Sequence, residues 1–581
     1  MVYFPFARPQ RSSVAPAETA DALDTAAAAQ IGHPEKLSLW ERLTTVRINP
    51  ANNKCTTLPI LKLNNPYSIN FHLSWLGFWV AFLSWFAFSP LVPEAVKNDL
   101  KLTQKQIGNS NIVSLCSTLL VRVIVGPLCD RFGPRKVMAG LLIVGAIPSG
   151  LAGTVSSAQG LYVIRFFIGI LGGTFVPCQA WTTAFYDTSI VGRANALVAG
   201  WGNSGGGFTF IIMVALYDRL RSDGLSPHSA WRAAFAIVPV PILFFVAIIT
   251  LLVGTDHPNG KWADRHKNAA LVPAALTDGS PRGSDDIEAI REIAPTQDGP
   301  KEKTENEKDA VNVDVTAVMP SRPPSIRQDS VPLTWKIALD VVLNPLTWLP
   351  ALAYMSSFGY ELAIDANLAN VYFGLYNKTK GFGQTRCGYI ASIFGLLNVF
   401  SRPLGGYMGD VVYRRWGVPG KKYLVLALGV LQGALSLAWG LYLDRHAASL
   451  AVVIVLMILT AAVDELGNGA NFSLVPHCNP SSNGVMTGIV GAMGNLGGVW
   501  FALMFRFQPS PFGKAFWIAG VVTMVGAFPL YMSSHFSDSK LRRLPVSCWS
   551  SYASHGSSHP TPYWAPVTAM CRATFIDFSL G

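Results

Sequence analysis

Two arginines stand where an arginine is costly. Arg122 lies in LLVRVIVGP and Arg402 in NVFSRPLGG, each inside an apolar run and several residues from the nearest polar loop. Placing a guanidinium in a membrane span costs roughly 2.5 to 3.5 kcal/mol on insertion scales, so each needs a partner. In one reading each side chain snorkels to the headgroups or pairs with a structural carboxylate. The other reading starts from their equivalent positions in two halves of the chain. Two guanidinium groups facing one cavity repel each other unless an anion lies between them. A guanidinium is a planar fork that donates paired hydrogen bonds and stays charged at any relevant pH, so two forks suit a small planar oxyanion. The pairing favours the anion site.

Three further sets of residues bear on such a site. Phe78, Phe82, Phe175, Tyr354 and Phe358 could wall a slot or simply pack, and Tyr354 and Phe358, four apart, share one helix face. Asn203 and Asn495 sit in the glycine-rich runs GWGNSGGG and GIVGAMGNLGG. Their amides either donate to an anion or bond across helices, while the glycines let helices approach and slide. A dinucleotide fingerprint is excluded, because no strand precedes either run and the glycine spacing does not fit. The buried acids are Glu361 and Asp365, one turn apart, and Asp464 and Glu465 in LTAAVDELGNG. They balance an arginine or bond amides such as Asn468 and Asn471, or they carry protons, since desolvation favours the neutral acid. Glu361 and Asp365 also fit a place near the outer mouth.

The elements that must position these residues are apolar runs long enough to cross about 30 Å of hydrocarbon. They fall at 71–93, 109–128, 137–155, 161–181, 194–217 and 231–253, then at 348–372, 389–408, 423–443, 450–472, 485–507 and 516–532. Between the two sets lies a polar stretch, about 256–332, rich in Pro, Ser, Asp, Glu and Lys, whose composition cannot bury enough apolar surface to fold. The expected fold is all-α: a polytopic membrane protein with 12 transmembrane helices in two pseudo-symmetric six-helix bundles. Its divisions are a cytoplasmic N-terminal segment 1–67, an N-terminal bundle 68–255, a disordered cytoplasmic loop 256–335, a C-terminal bundle 336–535 and a cytoplasmic tail 536–581. The loop reads as a regulatory or phosphorylated linker open to kinases and other regulators. No apolar core precedes a cleavage site near the N-terminus, so the first span is expected to direct insertion.

Composition agrees and excludes alternatives. Charged residues make up 14% of the chain, against roughly 25% in soluble proteins. The net charge of +11 is crowded between the apolar runs rather than along a basic stripe with aromatics, which excludes nucleic acid. The 8 cysteines are scattered without a CxxC pair, so neither a zinc site nor a disulfide scaffold is expected, and no cofactor. Asp130 to Lys136 (DRFGPRK) and the pair Arg414, Arg415 with Lys421 and Lys422 put the corresponding loops, both termini and the central loop in the cytoplasm. Lys378, Lys380 and Arg386 are a mild exception outside, beside the acceptor sequence Asn377-Lys378-Thr379.

The halves repeat each other. Arg122-x3-Gly126-x3-Asp130 matches Arg402-x3-Gly406-x3-Asp410, and Gly202-Asn203 with Gly205-Gly206 matches Gly494-Asn495 with Gly497-Gly498. Parallel six-span halves are an architecture that binds its substrate at the midplane between them.

At these residues the sequence resembles the nitrate/nitrite porter family of the major facilitator superfamily, most closely its fungal high-affinity members. GPLCDRFGPRK (Gly126 to Lys136) looks like the superfamily's motif between spans 2 and 3, and Arg165-x3-Gly169 is similar to its span 4 motif. More specific are AGWGNSGGG, ending at Gly207, and GNLGG, from Gly494, which resemble the two nitrate signatures, together with FHLSWLGFWVAFLSWFAFSP in span 1. The resemblance covers about 71–532, while the tail after Asp538 departs from the family's short polar tails. It implies that Arg122 and Arg402 clamp nitrate, that Asn203 and Asn495 assist, and that Phe175, Tyr354 and Phe358 are pocket aromatics. It implies a carrier and not an enzyme, in the plasma membrane, moving nitrate and nitrite with protons in eukaryotic members and by exchange in some bacterial ones.

Moving one negative charge inward against an inside-negative potential costs about 2.3 kcal/mol per 100 mV, so import of a monovalent anion needs at least one compensating proton. The candidates for that proton are Asp464, Glu465, Glu361 and Asp365. A nitrate sensor on the same fold and a carrier of another anion, such as formate, are the alternatives; a sensor would call for a folded cytoplasmic domain in place of a polar linker.

Overall fold

The computed structural model describes residues 38–49, 52–187, 189–264, 335–379, 381–445, 448–478 and 483–526. Among these the chain is helical, with extended pairing confined to isolated bridges. The expected disordered linker, from 265 on, the end of span 12 and the tail lie outside the described residues.

Several helices start where the sequence supplies a side-chain cap. The Asn65 side chain accepts from the Ser68 N–H at 2.9 Å ahead of Pro66–Trp85, and Thr103 and Gln106 form a reciprocal capping box on Gln104–Phe132. Ser157, Ser226 and Asn344 cap Ala158–Ile168, Pro227–Ile237 and Pro345–Tyr376 in the same way. Within hydrocarbon a helix satisfies its own backbone, and the caps satisfy its ends. By length and composition, 8 helices among the described residues can cross a membrane. One of them, Gln384–Leu443, has 60 residues, about 90 Å of helix at 1.5 Å per residue. It reverses at Gly417, whose φ of 65° suits glycine, and so supplies both span 8 and span 9. Pro66–Trp85 (span 1), Pro345–Tyr376 (span 7) and Lys514–Gly526 (span 12) complete the expected set.

Span 2 packs on span 11, and span 5 packs on span 8, the same contact with the halves exchanged. Glycine permits the approach: a Cβ on Gly126 would lie 2.9 Å from the Gly484 carbonyl oxygen, and one on Gly207 2.6 Å from the Leu396 nitrogen. The Arg-x3-Gly-x3-Asp repeat thereby acquires a geometry. Asp130 Oδ2 accepts from the Val485 N–H at 3.1 Å, and Asp410 Oδ2 accepts from both the backbone N–H and Nε of Arg193 at 3.1 Å. Each aspartate meets the N-terminal turn of a helix in the other bundle, where the helix dipole favours negative charge.

Residues 256–264, expected at the head of a disordered loop, instead fold back on this Asp130 face. Arg135 Nε donates to Asp256 Oδ1 at 2.6 Å, and the Trp262 indole donates to the Asp130 carbonyl at 2.9 Å. A buried aromatic and an ion pair hold a stretch whose average composition is polar. The N-terminal segment docks beside it: Asn49 and Asn52 both donate to Asp187 Oδ2 at 2.9 Å, and Cys55 pairs with Tyr186. On the opposite face, Gln384 Oε1 accepts from the Glu94 and Ala95 N–H groups, and Arg506 Nε donates to Asn109. The halves thus meet at both faces. Between them Arg122, Arg402, Glu361, Asp464, Glu465 and Asn495 are each 0% exposed.

Candidate anion-binding site

Spans 4, 5 and 8 are each interrupted at mid-membrane, and the interruptions build the centre. Span 4 passes from Ala158–Ile168 through a 3-10 segment, Gly169–Thr174, to Phe175–Phe185. Span 5 breaks at Ser204, between Val191–Asn203 and Gly205–Ser222. Span 8 breaks at Leu397–Val399, just before Arg402. The open turn of span 4 exposes a carbonyl group: Arg122 Nε donates to Gly172 O at 2.9 Å, while its Nη1 reaches Gly491 O within the helix of span 11 at 3.0 Å. Arg402 Nη1 donates to Asn398 Oδ1 at 3.2 Å and Nη2 to the Tyr354 hydroxyl at 2.9 Å. Each guanidinium keeps one buried nitrogen, Nη2 of Arg122 and Nε of Arg402, without an acceptor among the described residues.

The Phe358 ring lies near both cations. Its centroid is 5.1 Å from Cζ of Arg122 and 5.3 Å from Cζ of Arg402, so the two charges lie within about 10 Å of each other and one π system attracts both. Tyr354 stacks on Phe358 with centroids 4.7 Å apart and planes at 5°, and Phe175 lies parallel to both at 6.0 and 6.1 Å. Phe472 closes the group edge-on, 4.8 Å from Phe175 and 4.9 Å from Tyr354. Phe78 meets Phe175 at 5.5 Å, with Phe82 behind it. These rings lie near-parallel, with the Arg122 guanidinium over Phe175 and Phe358 and the Arg402 guanidinium over Phe358.

The acids all belong to the C-terminal bundle. Glu361 accepts from Asn203 and Asn398 at Oε1, the latter at 2.7 Å, and from Asn468 at Oε2 at 2.8 Å; its Oε2 is 3.9 Å from Arg402 Nη1. Three amide donors are the surroundings of a carboxylate, which only accepts. Glu465 Oε1 accepts from Asn398 at 3.0 Å, while its Oε2 and both oxygens of Asp464 have no donor among the described residues. Asp365 is buried one turn beyond Glu361.

The family model of the Major Facilitator Superfamily matches residues 74–502. The chain is 32% identical over 484 residues, 83% of its length and 82% of the other's, to the Arabidopsis thaliana protein named High affinity nitrate transporter 2.5. The chain belongs to the nitrate/nitrite porter family of the Major Facilitator Superfamily. It is also 29% identical to Nitrate transporter 2.1 of Chlamydomonas reinhardtii, over 83% of this chain and 77% of that one. Among solved structures, the E. coli xylose transporter XylE in a partially occluded inward-open conformation aligns with a TM-score of 0.52 at 15% identity, covering 80% of this chain and 97% of that one, a likeness of fold.

In this porter the residues singled out from the sequence gather in one sealed centre, with differences of detail. Glu361 and Asp365 lie buried within span 7, Pro345–Tyr376, rather than at an outer mouth, and Asn203, Asn398 and Asn468 all donate to Glu361. The two signature asparagines are not equivalent: Asn203 donates across the bundles to Glu361, whereas Asn495 donates to Gly491 O of its own helix at 3.0 Å. Gly491 O also receives Arg122, so Asn495 and Arg122 share one acceptor. Two members escaped the sequence reading. Asn398 is one helical turn before Arg402, a spacing that could have revealed it, and Phe472 had no local signal in a span already rich in apolar residues.

Proposed function

We propose that this porter imports nitrate, and nitrite with it, across the plasma membrane by alternating access of the central site, driven by protons. One observation carries the reading: two fully buried guanidinium groups flank one aromatic ring, and each retains an N–H with no protein acceptor among the described residues. Buried donors of like charge are satisfied by an anion between them. Arg122 and Arg402 form the clamp, Asn203 and Asn495 assist it, and Phe175, Tyr354 and Phe358 set the width of the slot. The names and coverage of the relatives support nitrate as the anion.

The proton sites are among Asp464, Glu465, Glu361 and Asp365. Their support is burial in the bundle that holds Arg402, together with the roughly 2.3 kcal/mol per 100 mV that an unaccompanied anion would face. The Asp130 face is cytoplasmic in this reading, since Arg131, Arg135, Lys136, Arg414 and Arg415 flank it. Segment 1–67, loop 256–335 and tail 536–581 then lie inside, with the loop available to kinases and other regulators.

The test is uptake of labelled nitrate and nitrate-evoked current in a transport-null cell. Two protons per nitrate carry net positive charge inward, so wild type should give inward current that collapses with the proton gradient, and Arg402→Ala should abolish both uptake and current while reaching the membrane. Retained current in Arg402→Ala rejects the clamp. Uptake indifferent to the proton gradient but dependent on internal nitrite replaces symport by exchange, competition by formate above nitrite changes the anion, and binding without flux makes the protein a sensor.

A further inference from the structure

Asn398 occupies the break in span 8 and is fully buried. Its Oδ1 accepts from Arg402 Nη1 at 3.2 Å, and its Nδ2 donates to Glu361 Oε1 at 2.7 Å and to Glu465 Oε1 at 3.0 Å. Chemistry fixes the orientation of this amide, because a guanidinium only donates and a carboxylate only accepts. One side chain therefore joins the arginine of span 8 to a carboxyl on span 7 and another on span 10. A Cβ on Gly200 would run into the Asn398 carbonyl, so span 5 of the other bundle bears directly on this turn.

We infer that Asn398 is the positioning residue that links anion loading at Arg402 to proton loading at Glu465, an inference that rests on the proton-coupled reading above. A proton from water adds to Glu465 Oε2, which has no donor among the described residues, and converts a carboxylate into an acid with a new O–H. That O–H donates to Asn398 Oδ1 and competes for the acceptor that Arg402 Nη1 now uses. Nη1 is then freer to turn to the anion. On the other side of the membrane the proton returns to water, Oδ1 takes Nη1 back, and the anion loses a donor. One proton enters and one leaves, and Asn398 itself is unchanged.

The groups that act on Glu465 are Glu361, Asp464, Arg402 and Asp365. Tyr354 of span 7 faces the same arginine, Arg122 of span 2 lies beyond Phe358, and spans 5 and 9 bring the uncharged Asn203 and Ser436. Neither Asp464 nor Asp365 contacts Arg402 through a hydrogen bond among the described residues, so the amide is the direct link.

The full chain carrying Asn398→Leu tests this in transport-null cells and in vesicles made from them. Gradient-driven uptake of labelled nitrate should fall by about tenfold more than exchange of labelled for unlabelled nitrate at equal pH, a gap within the usual range for linked sites. Asn398→Asp keeps the acceptor for Arg402 and loses the donor, so its uptake should shift to more acid pH, where the introduced acid becomes a donor again. Loss of exchange and driven uptake in equal proportion, or an Asn398→Asp pH profile that overlays wild type, overturns the inference. Wild-type uptake indifferent to the proton gradient overturns the proton-coupled reading itself, whereas coupling retained in Asn398→Leu overturns only the role of Asn398.

Discussion

Asn203, on span 5 of the N-terminal bundle, donates its amide to Glu361, on span 7 of the C-terminal bundle. The signature asparagine of one half is thus tied to the carboxylate nearest the arginine of the other half. Movement of the bundles past one another has to break or remake that bond.

Glu361→Gln removes the negative charge beside Arg402 and leaves three amide donors facing a single carbonyl oxygen. Half-saturation for nitrate should fall by about tenfold, since the arginine no longer has a resident counter-charge, and turnover should fall because the contact across the bundles is weakened. Initial rates across nitrate concentrations check both; a raised KM with unchanged turnover would sink the argument.

Phe358→Leu keeps an apolar side chain and removes the ring that lies near both Arg122 and Arg402. A ring of this kind is worth about 0.5 to 2 kcal/mol per cation. Nitrate affinity should drop by about tenfold while surface expression holds, as read by binding of labelled nitrate to purified protein.

Asp410→Asn strips the charge from a pair with Arg193 at 3.1 Å and Lys421 at 3.2 Å, where Asp410 is only 6% exposed. Hydrogen bonds to charged groups contribute about 1.5 to 3 kcal/mol. A lower Tm in detergent is expected, together with faster labelling of the buried Cys478, which lies at the same end of span 10.

Asp99, between spans 1 and 2, supplies a pH prediction. Burial pushes its carboxyl up, but hydrogen bonds from Arg232, His228 and Trp231 outweigh that and hold it below the ordinary range. A carboxyl depressed in the folded state stabilises above its unfolded value of about 3.9 and loses that contribution as pH falls through the folded value. Asp99→Asn should therefore lower Tm at neutral pH, and the gap to wild type should close only in strong acid; a gap that closes near neutrality would implicate another group.

The sequence made the crossings legible because hydrocarbon demands length and apolarity, and it pointed to the central arginines because charge inside such a run is conspicuous. It also revealed the Arg-x3-Gly-x3-Asp repeat, though not that its aspartates meet helix ends in the opposite bundle, which depends on how the halves dock. Asn398 stayed hidden because an asparagine in an apolar helix has many routine uses, and only the break at Leu397–Val399 aims it at three charged groups at once. The folding back of residues 256–264 was invisible for a related reason: a few anchored residues decided it against the average of the segment.

That anchoring has a mechanical consequence. Trp262 ties the chain leaving span 6 to the backbone of Asp130, the residue that meets the start of span 11. The chain leaving span 6 is therefore held beside the start of span 11 as well as at its own helix, by the indole together with the Arg135–Asp256 ion pair. A shift at that joint between the bundles is felt directly by residues 256–264.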